Sequence, residues 1–503
     1  MLLLDVTIVS VALADIQRDL SADLAQLQWV VDAYTLTLAG LLLTAATLGD
    51  RIGRKRIFVA GLTLFTTASL ACALAGDALV LNLLRAVQGI GGAALFGTAV
   101  PLLGAAFPTA AGRARAIGAF GATLAAATAV GPLLGGVLVD GPGWRWIFLI
   151  NVPVGILTLI ASLQVRESRP QTAQRADWAG TALLTASLFA LLLGLIRGNS
   201  DGWGSGRIVF LFAAAAVLLA GFVARELTGR EPMLDLRLFV RPAFSGVGLA
   251  AFAVSGTLIA ATYYIALDLQ NGYGFSPIAT GLRVLPLTVT SFVAAPVTAG
   301  LLRRTGTTVP TVVSLVLAGA GMLLAAQIDP TSSWTVLVPG FVLAGLGLGI
   351  SSAALTSAAL ASVEPARAGM ATGAVNTLRQ VGTAAGVAVL GAVFQHQATE
   401  RAGALLDAVQ LPVSAREQLS TAIGSGAGRI ASQAVPEPLR QAVADAGAAA
   451  MADALSTVLT AGGVAVLVSA VLCAVLMRRR ATDSQVAPQG HPVVEPSLEP
   501  AAL

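Results

Sequence analysis

Cysteine, histidine and lysine are nearly missing from this chain of 503 residues, and each shortage closes off a class of chemistry. The two cysteines, Cys72 and Cys473, lie in separate apolar runs and support neither a disulfide framework nor a metal site. The two histidines, His396 and His491, fall at a helix end and in the C-terminal tail, so neither reads as a ligand. No HExxH or Gly-x-Ser-x-Gly arrangement is present to carry hydrolysis, and the expectation is that the chain is not an enzyme. A phosphate-binding loop needs Gly-Lys-Ser/Thr; the only lysine, Lys55, follows Arg54, which excludes an ATP site in this chain. Charge is scarce as well, at 11% of residues against roughly 25% in soluble domains. The small basic excess is no nucleic-acid footprint, because the arginines fall in short interhelical turns rather than along one face. Met1 to Leu4 are apolar with no basic stretch before them, so no cleavable signal peptide is expected.

What remains is apolar. Hydrophobic residues make up 56% of the chain and glycine contributes 54 positions, the composition of an all-α polytopic membrane protein. Counting apolar runs predicts fourteen transmembrane helices, the first seven near 1–14, 28–49, 57–75, 78–102, 116–139, 146–164 and 179–196. The other seven fall near 208–225, 243–267, 279–302, 310–327, 335–360, 369–395 and 457–477. The first run is shorter than the ~20 residues a crossing needs, which favours a true start upstream of Met1. An even count puts both termini on one side. Nineteen of the 30 basic residues then fall in turns on the cytoplasmic side and eight on the other. Four of those eight lie in the long 396–456 loop, where the positive-inside rule has little force.

The chain also reads as doubled. Residues 1–164 form one six-helix bundle and 243–477 a second, with the extracytoplasmic loop 396–456 inside it. Two extra helices and cytoplasmic loops occupy 165–242, and a Pro-rich cytoplasmic tail, expected to be disordered, follows at 478–503. Two related halves around a midplane site are the pattern of secondary transporters.

Between helices 2 and 3 lies the most informative stretch, Leu48-Gly49-Asp50-Arg51-Ile52-Gly53-Arg54-Lys55-Arg56. A short, strongly basic joint between two spanning helices stays on the cytoplasmic side. Orientation alone needs no acid, so Asp50 is the unusual member. It can pair with an arginine or with a helix N-terminus and lock two helices together.

Ionisable groups at bilayer depth are costly and point to function. Asp5 in helix 1 is the deepest carboxyl once the missing turns of that helix are allowed for, and either carries a proton or pairs structurally with an arginine. Asp32, one turn into helix 2, is an interfacial anchor beside Trp29 or an entry site for protons and cations. Arg85 lies eight residues into helix 4, too deep to snorkel, with Gln88, Gly89, Gly91 and Gly92 after it. Asp268, before Asn271-Gly272-Tyr273-Gly274, reads as interfacial or, in the alternative, as a cavity residue with Asn376 and Arg379. Asn376, Arg379 and Gln380 make a polar stripe on helix 13, either a cavity face or interhelical glue. In helix 5, Pro132 removes a backbone hydrogen bond and is expected to kink the helix. Gly131, Gly135 and Gly136 around it allow close approach of a neighbour, which suits a hinge or seal.

Several segments carry a family resemblance. Ala46 to Arg56 resembles the 2–3 loop signature of the major facilitator superfamily, with Ala46 where a glycine is commonest. Leu81 to Ala94 (LNLLRAVQGIGGAA) resembles its helix 4 signature, and Ala127 to Gly136 (ATAVGPLLGG) that of helix 5 in its antiporters, with Ala127 replacing a usual glycine. The stretches 4–9, 29–34, 148–153 and 231–235 are similar to the 14-helix drug:proton antiporter family, above all to actinomycete antibiotic self-resistance exporters of the puromycin and methylenomycin type. The resemblance implies two six-helix bundles plus two central helices, with no cofactor and a proton gradient as the energy source. It implies proton or substrate roles for Asp5, Asp32 and Arg85, and gating by Asp50, Arg51, Gly53 and Arg54. Ser291 and Asn376-Thr377 stand where some relatives carry carboxylates, which favours a neutral or monovalent substrate over a dication. The expected function is export of an antibiotic or other lipophilic drug across the cell membrane in exchange for protons. Its partners are then the drug, protons and the bilayer, with no ATP and no nucleic acid. The competing reading is a facilitator moving a small metabolite, which shares the helix 4 signature but usually lacks the Gly-Pro-x-x-Gly-Gly of helix 5.

Overall fold

The computed structural model describes residues 1–478 except 23, 108, 169–176, 229–235, 330–331, 364–367, 410 and 427. The 231–235 stretch, the tail beyond Arg478 and the Pro132 side chain therefore lie outside the described residues. All regular elements among the described residues are helices. Fourteen are long: α1 (Leu2–Leu20), α2 (Leu24–Ile52), α3 (Arg54–Ala73), α4 (Ala78–Ala106), α5 (Ala110–Asp140), α6 (Trp146–Leu163) and α7 (Trp178–Asp201). They continue as α8 (Gly206–Thr228), α9 (Pro242–Asn271), α10 (Pro277–Thr305), α11 (Thr308–Ala325), α12 (Trp334–Ala361), α13 (Ala368–Leu406) and α14 (Glu437–Arg478). Among the described residues, eleven helices are long and apolar enough to cross a membrane. The chain is a multi-pass membrane protein.

Two boundaries differ from the sequence expectation. α1 does not stop at residue 14: it continues through Asp15, Gln17, Arg18 and Asp19 and is capped by Ser21 in a left-handed conformation, giving 19 residues. The expected loop 396–456 is mostly helical. α13 runs to Leu406, α14 starts at Glu437, and two short helices, Val413–Gly424 and Gly428–Gln433, fill the interval. Arg401 and Asp453, 2.7 Å apart, tie the extended ends of α13 and α14 together. Leu406, Leu419, Ile423, Val443 and Met451 bury a small core between these pieces. The result is a helical cap at the end of the molecule opposite the basic joint.

Glycine sets which helices approach closely. On α4, a Cβ at Gly89 would meet the Tyr34 carbonyl oxygen of α2 at 2.5 Å, so the two backbones touch. On α12, Gly345 and Gly349 likewise face the Leu287 and Ser291 carbonyls of α10. The same pairing, fourth helix on second helix, therefore recurs in the two halves. α1 to α6 pack on one another, as do α9 to α14, and the sets meet along α2 with α13 and α5 with α10. α7 and α8 pair with each other, and α7 lies against α2 and α13. α9 is interrupted by a π turn, Ser255–Ile259, where Gly256 presses on Gly386 of α13. α5 runs as one helix through Pro132, with Gly131, Gly135 and Gly136 buried and α1 and α10 as its main neighbours.

Candidate functional site

Arg85 and Asp5 meet at the centre of the first half. Both side chains are fully buried and pair through Nη1 and Oδ2. Burying two ions costs several kcal/mol each and is tolerated only with further hydrogen bonds, and these are present. Asp5 Oδ1 accepts from Gln88 Nε2 at 3.0 Å and from Asn151 Nδ2 at 3.1 Å. Arg85 Nε donates to the Val30 carbonyl at 2.9 Å and Nη1 to Gln88 Oε1 at 2.8 Å. Nη2 has no acceptor among the described residues, but the guanidinium carbon lies 4.4 Å from the Tyr34 ring centroid, so ring faces replace part of its hydration. Ser69 completes the set, accepting from Gln88 and Asn151 and donating to the Phe148 carbonyl at 3.0 Å. One carboxylate thus joins α1, α4 and α6, with α3 attached through Ser69. Protonating Asp5 would cancel its charge and release the guanidinium, loosening all four helices at once.

The sequence brought Asp5, Arg85 and Gln88 to notice but not Ser69, Asn151 or Tyr34 as members of one network. Asn151 had a signal available, an amide inside an apolar run at bilayer depth. Ser69 had none.

The second cluster is the basic joint. Gly53 alone separates α2 from α3, with φ of 130°, a region that disfavours any side chain. That break aims Arg54 back at Asp50, with Nε 2.8 Å from Oδ1. Asp50 Oδ2 also accepts from the backbone N–H of Met370 at 3.1 Å, and the carboxylate takes a further bond from the Gly369 N–H. These are among the first amides of α13, which have no partner within their own helix. The acid of one half therefore caps a helix of the other. Gly369 makes this possible, since a Cβ there would land on the Asp50 carboxylate. One turn along, Gly373 packs on Ala46 and Leu43 of α2, continuing the contact. Glu167, unnoticed in the sequence, accepts from the Lys55 N–H at 3.0 Å and caps the start of α3. Arg51 is half-buried beside the joint.

The remaining candidates are dispersed. Asp32 is half-buried on α2, within electrostatic reach of Arg197 on α7 and Tyr263 on α9. Asn376 and Arg379 are half-buried on α13, and no carboxylate among the described residues reaches Arg379. Asp268 is enclosed and not exposed at a surface: its relative exposure is 1%, because the helical cap covers the end of α9, with Gly426 against Leu267. His396 belongs to the lengthened α13 and pairs with Glu400.

A sequence profile of the Major Facilitator Superfamily matches residues 1–387. The chain belongs to that superfamily. Among its relatives, the multidrug resistance protein Stp of Mycobacterium tuberculosis is 40% identical over 399 residues, covering 78% of this chain and 73% of Stp. The tetracenomycin C resistance and export protein of Streptomyces glaucescens is 36% identical, over 78% of this chain and 73% of that protein. The puromycin resistance protein pur8 of Streptomyces alboniger is 36% identical, over 78% and 79%. The crystal structure of the human organic anion transporter MFSD10 (TETRAN) superposes with a TM-score of 0.57 at 14% identity. It covers 92% of this chain and 96% of that one and shows the superfamily fold.

Proposed function

We propose that this chain exports an antibiotic or another lipophilic drug across the cytoplasmic membrane in exchange for protons, with both termini in the cytoplasm. The observation that carries the reading is the buried Asp5–Arg85 pair in a superfamily member whose relatives are named for multidrug resistance and drug export. Asp5 is a carboxylate whose charge, once neutralised, changes the packing of four helices. That is the coupling an antiporter requires. The clasp at Asp50 and α13 holds the cytoplasmic ends of the two halves together, so the conformation described is closed on that side. With no phosphate-binding loop in the sequence, work is drawn from an ion gradient, which supplies about 2.3 kcal/mol per charge per 100 mV. One such charge sustains roughly a fifty-fold substrate gradient, since about 1.4 kcal/mol is tenfold.

The test is efflux from a drug-sensitive host expressing the gene. A protonophore is expected to stop efflux while cellular ATP is still present. Efflux that survives the protonophore and stops on ATP depletion sinks the reading.

Arg379 bears on what is carried. A half-buried guanidinium with no carboxylate partner among the described residues suits a substrate that brings an electron-rich or anionic group, worth about 1.5–3 kcal/mol as a charge-assisted hydrogen bond. Arg379→Ala is expected to weaken binding of such drugs by roughly ten- to a hundredfold, with little change for purely apolar ones. Equal loss across a drug panel would mark Arg379 as structural.

A further inference from the structure

α9 ends in a carboxyl that the protein encloses and leaves without a donor. Asp268 lies one turn before the end of the helix, and neither carboxyl oxygen has a hydrogen-bond partner among the described residues. The cause is local. The nearest amides, those of Gly272 and Tyr273, are both taken by the backbone carbonyl of Asp268, at 2.7 and 3.0 Å. The side chain instead lies over Gly272, where a Cβ would meet Oδ1 at 2.6 Å. It also sits at the negative end of its helix, where an anion is disfavoured.

Among the described residues no countercharge compensates. Helices α10, α13 and α14 pack on this part of α9. On α13, His396 pairs with Glu400, while Arg401 is paired with Asp453 of α14. The other charged groups at this end of α14 are Glu437, Arg440 and Asp445; Arg440 donates to the Val435 carbonyl and Asp445 accepts from Gln441. On α10, Arg283 is spent on aromatic rings, its guanidinium carbon 3.6 Å from the Phe275 centroid and 5.1 Å from that of Trp334. Phe275 stacks in turn on Tyr273, whose hydroxyl donates to the Ser332 carbonyl at 2.9 Å. Tyr273 and Asp329 are the titratable groups of the adjoining loops, and neither gives Asp268 a hydrogen bond.

We propose that Asp268 is a second proton-binding site, in the C-terminal half, and that it holds its proton in the conformation described here while Asp5 does not. The contrast is geometric. Asp5 receives a guanidinium and two amides, whereas Asp268 receives nothing. In the loaded form the carboxyl is neutral and tolerates burial under the cap. Unloading breaks the Asp268 O–H bond and passes the proton to water that enters as α10 moves against α9. The negative charge left behind is met by Arg283, whose Nε is buried and unpartnered in this conformation. Asp268 would then alternate with Asp5, one carboxyl in each half. This inference rests on the antiport reading above, and it also makes a claim that needs no transport to examine.

The experiment is infrared spectroscopy of the full chain, purified and free of substrate, at neutral pH in ordinary and heavy water. Wild type is expected to show a protonated-carboxyl band that is lost in Asp268→Asn. The band should shift on transfer to heavy water, because a carrier's proton exchanges as the halves rock. Gly272→Ala serves as a second variant, since its methyl would press on Oδ1 and should move the band without removing it. A wild-type spectrum without the band overturns the proposal, as does a band untouched by either substitution. A band that never shifts in heavy water marks a sealed structural acid and overturns it too. Failure of the antiport reading shows separately, as protonophore-resistant efflux, whatever the infrared spectrum reports.

Discussion

Asp5→Asn should abolish proton release on substrate addition and with it active export, while the protein still inserts. Asparagine keeps the shape and can receive the Gln88 and Asn151 amides, but it neither ionises nor takes up a proton. Arg85 is then a fully buried cation without its counterion. Breaking a buried pair from one side costs about 3–5 kcal/mol, so Asp5→Asn is also expected to lower the melting temperature. The two effects separate in the double variant Asp5→Asn with Arg85→Gln. Removing the stranded cation should recover much of the stability and none of the coupling. The measurement is proton release from detergent-solubilised protein on adding a drug that wild type exports, alongside thermal unfolding. Asp32→Asn, at a half-buried position facing Arg197 and Tyr263, should change which substrates are accepted more than it changes proton release. Full release from Asp5→Asn together with a silent Asp32→Asn would reverse the assignment and make Asp32 the carrier.

How far the sequence foretold these sites follows from the range of the interactions. Eleven helices among the described residues were readable because each is an apolar run of bilayer length, a local property. The joint was readable too. Asp50 stood out as an acid an orientation signal does not need, and an arginine and a helix N-terminus were its foreseeable partners. Both are there, in Arg54 four residues on and in α13. Which helix it caps was not legible, because Met370 lies in the other half of the chain. The same limit hid Ser69 and Asn151, whose importance comes only from where α3 and α6 place them beside Asp5. The enclosure of Asp268 is hidden in the sequence for a different reason. The Asn-Gly-Tyr-Gly after it has the composition of a surface turn, and its burial comes from the cap between α13 and α14. Apolar runs report bilayer contact and so pass over this cap, whose helices are alanine-rich but polar enough to stand in water.

Asp50→Asn should slow turnover about tenfold while leaving insertion and substrate binding near wild type. The carboxylate makes three contacts that an amide cannot keep at full strength: the Arg54 guanidinium and the Gly369 and Met370 amides. A charge at a helix N-terminus contributes about 0.3–2 kcal/mol. Loss of the Arg54 pairing adds to that, and about 1.4 kcal/mol is already tenfold in an equilibrium constant. Because the Gly369 and Met370 amide bonds join α2 to α13, those two exist only while the halves are closed at the joint. Removing them shifts the population toward the conformation open at that end, and a ligand-driven cycle slows when one of its states is depleted. Charge is not the only handle on the clasp. Gly369→Ala leaves every ionisable group in place and puts a methyl where the Asp50 carboxylate sits, so it should shift the population in the same direction. Spin labels on the joint ends of α2 and α13 would report the separation directly, alongside turnover in proteoliposomes. Wild-type turnover and an unchanged distance distribution in both variants would reduce the joint to an orientation signal. Agreement between the two variants, one electrostatic and one steric, would instead place the switch in the contact between this acid and the first turn of α13.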